Sequence, residues 1–123
     1  MADEKFANEI MSDGELNNVA GGGTMQTIGD QSFLVSHSLM KSTNLDDFFS
    51  ATLGWHKISS AVDDGWAKAG VTCVTKWGSF DNLYYIDGKQ VSRKDAFAHA
   101  LRQKGYSEES IASYDYNQWS GSF

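Results

Sequence analysis

The chain has 123 residues and a formal net charge of −6, and hydrophobic residues make up 41% of it. This composition is typical of one globular domain with an extension and excludes global disorder, while the acidic balance argues against broad nucleic-acid binding, which needs a basic surface. The single cysteine excludes an internal disulfide and a cysteine-rich zinc site, and no apolar run is long enough to span a membrane.

The first 22 residues are more acidic than the rest, with five acids, one base and a net charge of −4. They have neither the basic start nor the apolar stretch of a Sec-type signal. If the protein is exported, we therefore expect that a feature other than hydrophobicity is recognised.

A short capped helix is predicted within the stretch MSDGELNNVAGGG, residues 11–23. Ser12 and Glu15 have the spacing of a capping box, and Gly21 ends the helix. Three apolar residues lie on one broad face: Met11, Leu16 and Val19. Because so short a helix is unstable alone in water, we expect it to fold when this face meets a groove on another protein.

The same residues resemble the double-glycine leader of bacteriocin-type peptides and proteins. That family's pattern is an apolar residue, an acidic–leucine pair, a second apolar residue and Gly-Gly at the cut. These places are taken here, at the family's spacing, by Met11, Glu15, Leu16, Val19, Gly21 and Gly22. The resemblance covers residues 1–22 and implies that a papain-like cysteine peptidase domain, fused to an ABC exporter, binds and cuts the leader.

Three consecutive glycines leave the point of cleavage open. Gly21 and Gly22 have no side chains, so they can pass through a narrow cleft and present an extended backbone to a thiolate. Because Gly23 is a third glycine, the cut falls after Gly22 or after Gly23, and the spacing favours Gly22. The alternative interpretation is an ordinary N-terminal helix followed by a glycine linker.

The pattern after the glycines predicts a short strand around Ser32–Ser36 and then a long helix. This helix runs from about Leu45 to Lys68, is capped by Thr43 and Asp46, and is closed by Gly70.

Trp55 and Trp66 share one face of the long helix with Ile58 and Val62, which core packing explains. The alternative is a membrane-active amphipathic helix, as in many bacteriocins. Asp63, Asp64 and the scarcity of lysines argue against it, since anionic membranes attract basic faces. We interpret the Asp63–Asp64 pair as a solvated corner.

Residues 71–91 predict a three-stranded antiparallel meander, because β-branched and aromatic residues dominate them. Strands at about 71–77 and 82–86 form a hairpin, and Asp87–Gly88 turns the chain into a third strand, Lys89–Val91.

Two C-terminal helices are predicted by their caps. Ser92 begins the first helix, Gly105 stops it, and Ser107 begins the second, shorter one. With the preceding elements they form a compact α+β domain, residues 23–123, behind a leader of residues 1–22.

No catalytic, metal or cofactor site is predicted. His37, His56 and His99 do not have metal-ligand spacing. Cys73, His99 and Asp95 are the residues from which a nucleophilic site would be built, but a lone cysteine on a core strand usually behaves as a small hydrophobe. We therefore predict a protein that is not an enzyme.

Aromatic residues are concentrated near the C-terminus. Tyr114, Tyr116 and Trp119 have two interpretations: this segment folds back to cover the sheet, or it presents a recognition surface for a partner or glycan.

The first hypothesis on function is the precursor of a secreted, bacteriocin-like bacterial protein, with competition or signalling as the implied role. The second is a secreted, non-enzymatic binding domain with the same leader, and the third is an intracellular immunity or regulatory protein. The expected partner is the exporter's peptidase domain, with no nucleic acid, and membrane contact is not favoured. We also expect residues 1–22 of the uncut chain to pack little against the rest.

Overall fold

The computed structural model describes residues 22–41, 52–76 and 80–123. Within these ranges the elements follow one another as helices, an antiparallel meander and further helices, which confirms the predicted α+β class. They are α1 (Gly22–Ser36), α2 (Thr52–Lys68), β1 (Thr72–Val74), β2 (Leu83–Ile86), β3 (Lys89–Val91), α3 (Arg93–Gln103), α4 (Glu108–Ala112) and a 3-10 helix (Tyr116–Gln118).

Helix α1 contradicts the prediction of a strand at Ser32–Ser36, because those residues are its last turn and a half. Its buried face follows the spacing of a helix and is mostly polar or glycine: Gly23, Thr27, Asp30 and Leu34. The sequence of this helix therefore shows no hydrophobic period of 3.6 residues. Its buried polar side chains find their hydrogen-bond partners in distant segments.

Helix α2 packs against α1 and β1 as a core element. Ile58, Val62 and Trp66 lie at helical spacing and are completely buried, and Trp55 is half-buried. Gly70 has a φ of 79° and ends the helix as predicted. The predicted start at Leu45 and its caps lie outside the described residues. No helix of the described part is long and apolar enough to cross a membrane.

The three strands pair in the order β1–β2–β3, and both pairings are antiparallel, as predicted. Asp87 and Gly88 both have positive φ, 52° and 79°, which is the conformation of a tight hairpin turn. Strand β1 is shorter than predicted and β2 begins after Asn82. The backbone N–H of Asn82 donates to the Gln26 side chain at 2.7 Å. Asn82 therefore bonds to α1 and not to a neighbouring strand.

The predicted caps of the C-terminal helices are confirmed. The Asp95 backbone N–H donates to the Ser92 hydroxyl at 3.0 Å, and the Ser110 N–H donates to the Ser107 hydroxyl at 3.1 Å. Gly105 has a φ of 91° beyond the end of α3.

Aromatic rings from three helices form the centre of the core. The rings of Phe33 and Phe97 stack with centroids 4.0 Å apart, and Trp66 lies 5.8 Å from Phe33. Helix α3 packs on β2, and α2 packs on β1. The core therefore lies between the helices and the sheet.

Candidate functional site

The predicted cleavage junction meets the first turn of α1. Met11, Glu15, Leu16, Val19 and Gly21 lie outside the described residues. Gly22 and Gly23 are the first two residues of the helix. Of the predicted junction, the structure therefore describes Gly22 and the residues of the predicted product that follow it.

Gly23 is buried against the connection between β1 and β2. A Cβ atom at this position would lie 2.5 Å from the carbonyl oxygen of Lys76 and closer still to that of Phe80. Both are backbone atoms, so neither moves aside without shifting the chain. The Thr27 hydroxyl also donates to the Gly23 carbonyl at 2.7 Å. Packing of the domain therefore requires glycine at position 23.

Buried amide and hydroxyl groups join the start of α1 to the same connection. The Asn82 side chain donates to the Thr27 hydroxyl at 3.0 Å and accepts from the Lys76 backbone N–H at 2.7 Å. Gln26 accepts from the Asn82 N–H. These bonds position the Lys76 carbonyl group relative to Gly23.

One helical turn further on, Asp30 and Arg93 form a buried ion pair. Arg93 Nε donates to Asp30 Oδ1 at 2.8 Å, and the two side chains are 3% and 0% exposed. The other carboxylate oxygen, Oδ2, accepts from the Tyr84 hydroxyl at 2.6 Å and from Trp66 Nε1 at 3.2 Å. All the donors around this carboxylate come from other segments of the chain.

Burial dominates the electrostatics of this cluster. It raises the pKa of Asp30, and the Arg93 guanidinium together with the hydrogen-bond donors opposes the shift. Burial also raises the pKa of Tyr84 well above its ordinary value, with the Asp30 carboxylate adding to the effect. Tyr84 is consequently a protonated hydrogen-bond donor at neutral pH.

The remaining donors of Arg93 hold the C-terminal segment, residues 119–123. They bind the carbonyl oxygens of Ser120 at 2.6 Å, Ser122 at 3.2 Å and Gln26 at 3.3 Å. The guanidinium carbon lies 4.2 Å from the centroid of the Phe123 ring. Arg93 thus connects α1, α3 and this segment.

The Asp30–Arg93 pair, which spans 63 residues, is not predicted by the sequence pattern. The available signal was weak and local. Arg93 is the first residue of α3, where the helix dipole disfavours a positive charge. A basic residue at this position indicates that its side chain binds an acidic group elsewhere in the chain.

A half-open groove of about 310 Å³ lies beside this cluster. Gln26 donates across it to Asp81 at 3.3 Å and to Ser122 at 3.2 Å. The ring of Phe123 forms part of the lining and is 40% exposed. The groove is within the size range of small-ligand sites, and its lining combines polar groups with two aromatic residues, Tyr84 and Phe123.

The three aromatic residues predicted as a partner surface lie together and also bind one another. Tyr116 is buried and donates to the Ile111 carbonyl at 3.0 Å. Trp119 donates to the Tyr114 hydroxyl at 3.1 Å, and that hydroxyl lies 3.1 Å from His37 Nε2. Tyr116 is thus used inside the domain, and a recognition role for the half-buried Tyr114 and Trp119 stays a prediction.

The aromatic segment folds back mainly on helices. Trp119 contacts Phe33 of α1 edge-on at 6.0 Å, and Phe123 contacts Phe97 of α3 at 4.9 Å.

Burial disfavours a nucleophilic role for Cys73. It raises the pKa of the thiol, and the Asp30 and Asp63 carboxylates add to the shift, whereas a nucleophile needs a lowered pKa. Across residues 22–41, 52–76 and 80–123, no three metal-ligating side chains come together.

The interpretation of the Asp63–Asp64 pair as a solvated corner is wrong for Asp63. It lies within α2 and is half-buried, and its Oδ1 accepts no hydrogen bond from the described residues. Burial raises its pKa to about 6, the Asp64 and Asp30 carboxylates add to this, and the Cys73 thiol and Thr75 hydroxyl oppose it.

Asp63→Asn is expected to stabilise the protein at pH 7 and not at pH 4. The folded-state pKa of about 6 lies above the ordinary 3.8, so the favourable contribution of protonated Asp63 is complete below pH 3.8 and is lost as the pH rises through 6. We expect a gain of about 1 kcal/mol at pH 7, less than the full shift implies because the carboxyl is partly exposed. Urea unfolding at both pH values measures it. The exposed Asp87→Asn serves as the control, since Asp87 is not among the charges that act on Asp63. An equal effect of Asp63→Asn at both pH values would contradict the expectation.

Comparison of the chain with protein-family models, curated proteins and solved structures finds no match.

Proposed function

We propose that this chain is the precursor of a secreted, bacteriocin-like bacterial protein. Residues 1–22 are its leader, which the peptidase domain of an ABC exporter binds and cuts after Gly22. Residues 23–123 are the product, a folded domain that is not an enzyme. The observation that carries the proposal is that the leader pattern from Met11 to Gly22 ends where the buried packing of α1 begins.

The packing of Gly23 supports a cut after Gly22 over a cut after Gly23. Because the fold itself requires glycine at position 23, this residue has a reason to be glycine that is independent of a peptidase. Gly21 and Gly22 are then the pair that matches the leader pattern. A cut after Gly22 keeps Gly23 in the product, where its carbonyl binds Thr27.

The position of the Gly22–Gly23 bond also indicates when it is cut. In the folded chain this bond lies in the first turn of α1, and Gly23 is buried. A cysteine peptidase needs an extended backbone at the bond that it attacks. We therefore expect cleavage to precede the packing of α1, and the folded precursor to resist the peptidase.

Leu16→Ala is expected to reduce processing at least tenfold, because a leucine side chain that is buried on binding contributes about 1.5–3 kcal/mol. The measurement is the mass of the protein in the medium and in the cells of a strain that carries a peptidase-containing exporter. For the unchanged chain we expect a secreted product that lacks residues 1–22. Asn17→Ala, at the neighbouring position outside the pattern, is the matched control.

A full-length product that stays in the cells would contradict the proposal and favour the intracellular immunity or regulatory protein. Normal processing of Leu16→Ala would also contradict it.

The groove beside Arg93 favours a second candidate for the product, a secreted binding domain. Growth inhibition of neighbouring strains and leakage of lipid vesicles distinguish the two. Inactivity of the secreted product in both assays would favour binding.

A further inference from the structure

We propose that the carbonyl groups of Lys76 and Phe80 form a binding site for the α-amino group that cleavage creates on Gly23. The inference rests on the proposed cut after Gly22. Hydrolysis of that bond leaves a carboxylate on Gly22 and, after protonation, an ammonium group on Gly23. The new terminus then becomes part of the folded product.

The site is the space that excludes a side chain from position 23. Both carbonyl oxygens lie within 2.5 Å of the point where a Cβ atom would stand on Gly23, and the Lys76 Cβ atom lies 2.9 Å from it. In a glycine this tetrahedral position holds only hydrogen. Once the leader is gone, one rotation about the Cα–C bond of Gly23 moves the nitrogen into it. A rotation that stops short of this point, by about half an ångström at the nitrogen, gives the ordinary length of charge-assisted hydrogen bonds.

The groups on both sides of the rotating bond are held in place independently of the leader. The Thr27 hydroxyl fixes the Gly23 carbonyl at 2.7 Å, so the pivot does not move with the nitrogen. Asn82 bonds to both Thr27 and the Lys76 backbone, which fixes the accepting side. The rotation also costs α1 little, because the first N–H of a helix has no partner within the helix.

An uncut leader prevents this interaction. The nitrogen of Gly23 is then an amide with a single hydrogen, and its second substituent continues the chain. With the leader attached, the nitrogen cannot turn into this space without carrying Gly22 against the two carbonyl groups. Processing therefore adds to the product a contact that the precursor lacks.

Three kinds of charge act on the ammonium group. The positive end of the α1 dipole disfavours it, as does the Lys76 ammonium of the β1–β2 connection. The carboxylate of Asp81, on the same connection, favours it, whereas the carboxylate of Asp30, on α1, is offset by its ion-pair partner Arg93. The two carbonyl oxygens are the direct ligands, each with lone pairs suited to N–H donors.

The contribution of this contact depends on pH in a defined direction. An unperturbed α-amino group has a pKa of about 7.7–8.0, and binding to carbonyl oxygens favours its charged form. The proposal requires the two oxygens and Asp81 to outweigh burial, the helix dipole and Lys76, which lower this pKa, so that the folded-state pKa is raised. The stabilisation is complete below about pH 7.5 and disappears as the pH rises through the folded-state value.

The test compares the stability of two products that are cut from the full chain, one that begins with Gly23 and one that begins with Gly22. Residues 17–22 are replaced by the recognition sequence of a site-specific protease that cuts directly before Gly23. In the matched control the sequence is shifted by one residue, so that the product begins with Gly22 and its ammonium group is one residue too far away. Because the folded chain protects this bond, each protein is cut in partly denaturing urea and then refolded. Urea unfolding of each product and of its uncut parent is then measured from pH 6 to pH 10.

At pH 6.5, we expect the cut before Gly23 to favour the folded state about tenfold, the size of one charge-assisted hydrogen bond. The gain should vanish by pH 10 and be absent from the Gly22 product. The same pH dependence in both products, or a Gly23 product less stable than its uncut parent at pH 6.5, would overturn the inference. Since the natural peptidase is not used, this failure would leave the proposed processing intact. A retained, full-length protein in the secretion assay would instead overturn the processing, and the contact would then form only in the protein that is cut by design.

Discussion

Asp30→Ala is expected to lower the free energy of unfolding by about 3–5 kcal/mol, the usual cost of breaking a buried ion pair by removing one partner. Arg93, 3% exposed, would keep its charge without the carboxylate. The Tyr84 hydroxyl and the Trp66 ring nitrogen would also lose their acceptor. Since small domains are stable by only about 5–15 kcal/mol, this loss leaves a marginal fold. Urea unfolding measures it.

Two comparisons separate the buried pair from general effects of charge. Tyr84→Phe removes one donor to Asp30 and leaves the ion pair, so we expect a smaller loss, about 1–2 kcal/mol. Glu108→Gln breaks the exposed pair with Arg102, and we expect hardly any change because solvent screens it. If Asp30→Ala were as mild as Glu108→Gln, the buried pair would not have the structural role assigned to it.

Gly29→Ala is expected to destabilise the protein by about 2–3 kcal/mol and to loosen residues 119–123. A Cβ atom at Gly29 would overlap the carbonyl oxygen of Ser120 and lie 2.7 Å from Arg93 Nη2. The added methyl group must therefore displace the C-terminal segment from α1 or move the guanidinium. Urea unfolding gives the stability, and limited proteolysis near the C-terminus reports the loosening.

Gly65→Ala is the matched control, since it adds the same methyl group to a helix. There the Cβ atom would lie 3.1 Å from Leu34 Cδ1, the end of a flexible side chain, and 3.3 Å from the Leu39 carbonyl oxygen. A few tenths of an ångström of movement and the better helix propensity of alanine, about 1 kcal/mol, offset each other. A Gly29→Ala variant that resembles Gly65→Ala would show that residues 119–123 do not need close contact with α1.

The long-range contacts of α1 bear on the proposed export. Asp30 bonds to a residue 63 positions away, and Gln26 bonds to one 96 positions away. Helix α1 therefore cannot complete its packing until the C-terminal part of the chain is available. A chain that is still incomplete or unfolded would leave the Gly22–Gly23 bond open to a peptidase.

The sequence alone was sufficient where a structure is decided within a few residues. The cap at Ser92 depends on a hydroxyl and an N–H three residues apart, and the turn at Asp87–Gly88 depends on two residues that accept positive φ. The helical spacing of Ile58, Val62 and Trp66 likewise identified a core face, because apolar residues carry that signal themselves. The leader pattern is also local, and it remains a prediction from sequence.

Only the tertiary structure could decide α1, the ion pair and the role of Gly23. The buried face of α1 is polar, and a polar residue is stable in a core only when distant groups supply its hydrogen bonds. Nothing near Asp30 in the sequence indicates that Arg93 is its partner, and nothing near Gly23 indicates two carbonyl groups 53 and 57 residues further along the chain. Such pairings are set by how the elements pack, because proximity in space between remote residues has no local signal.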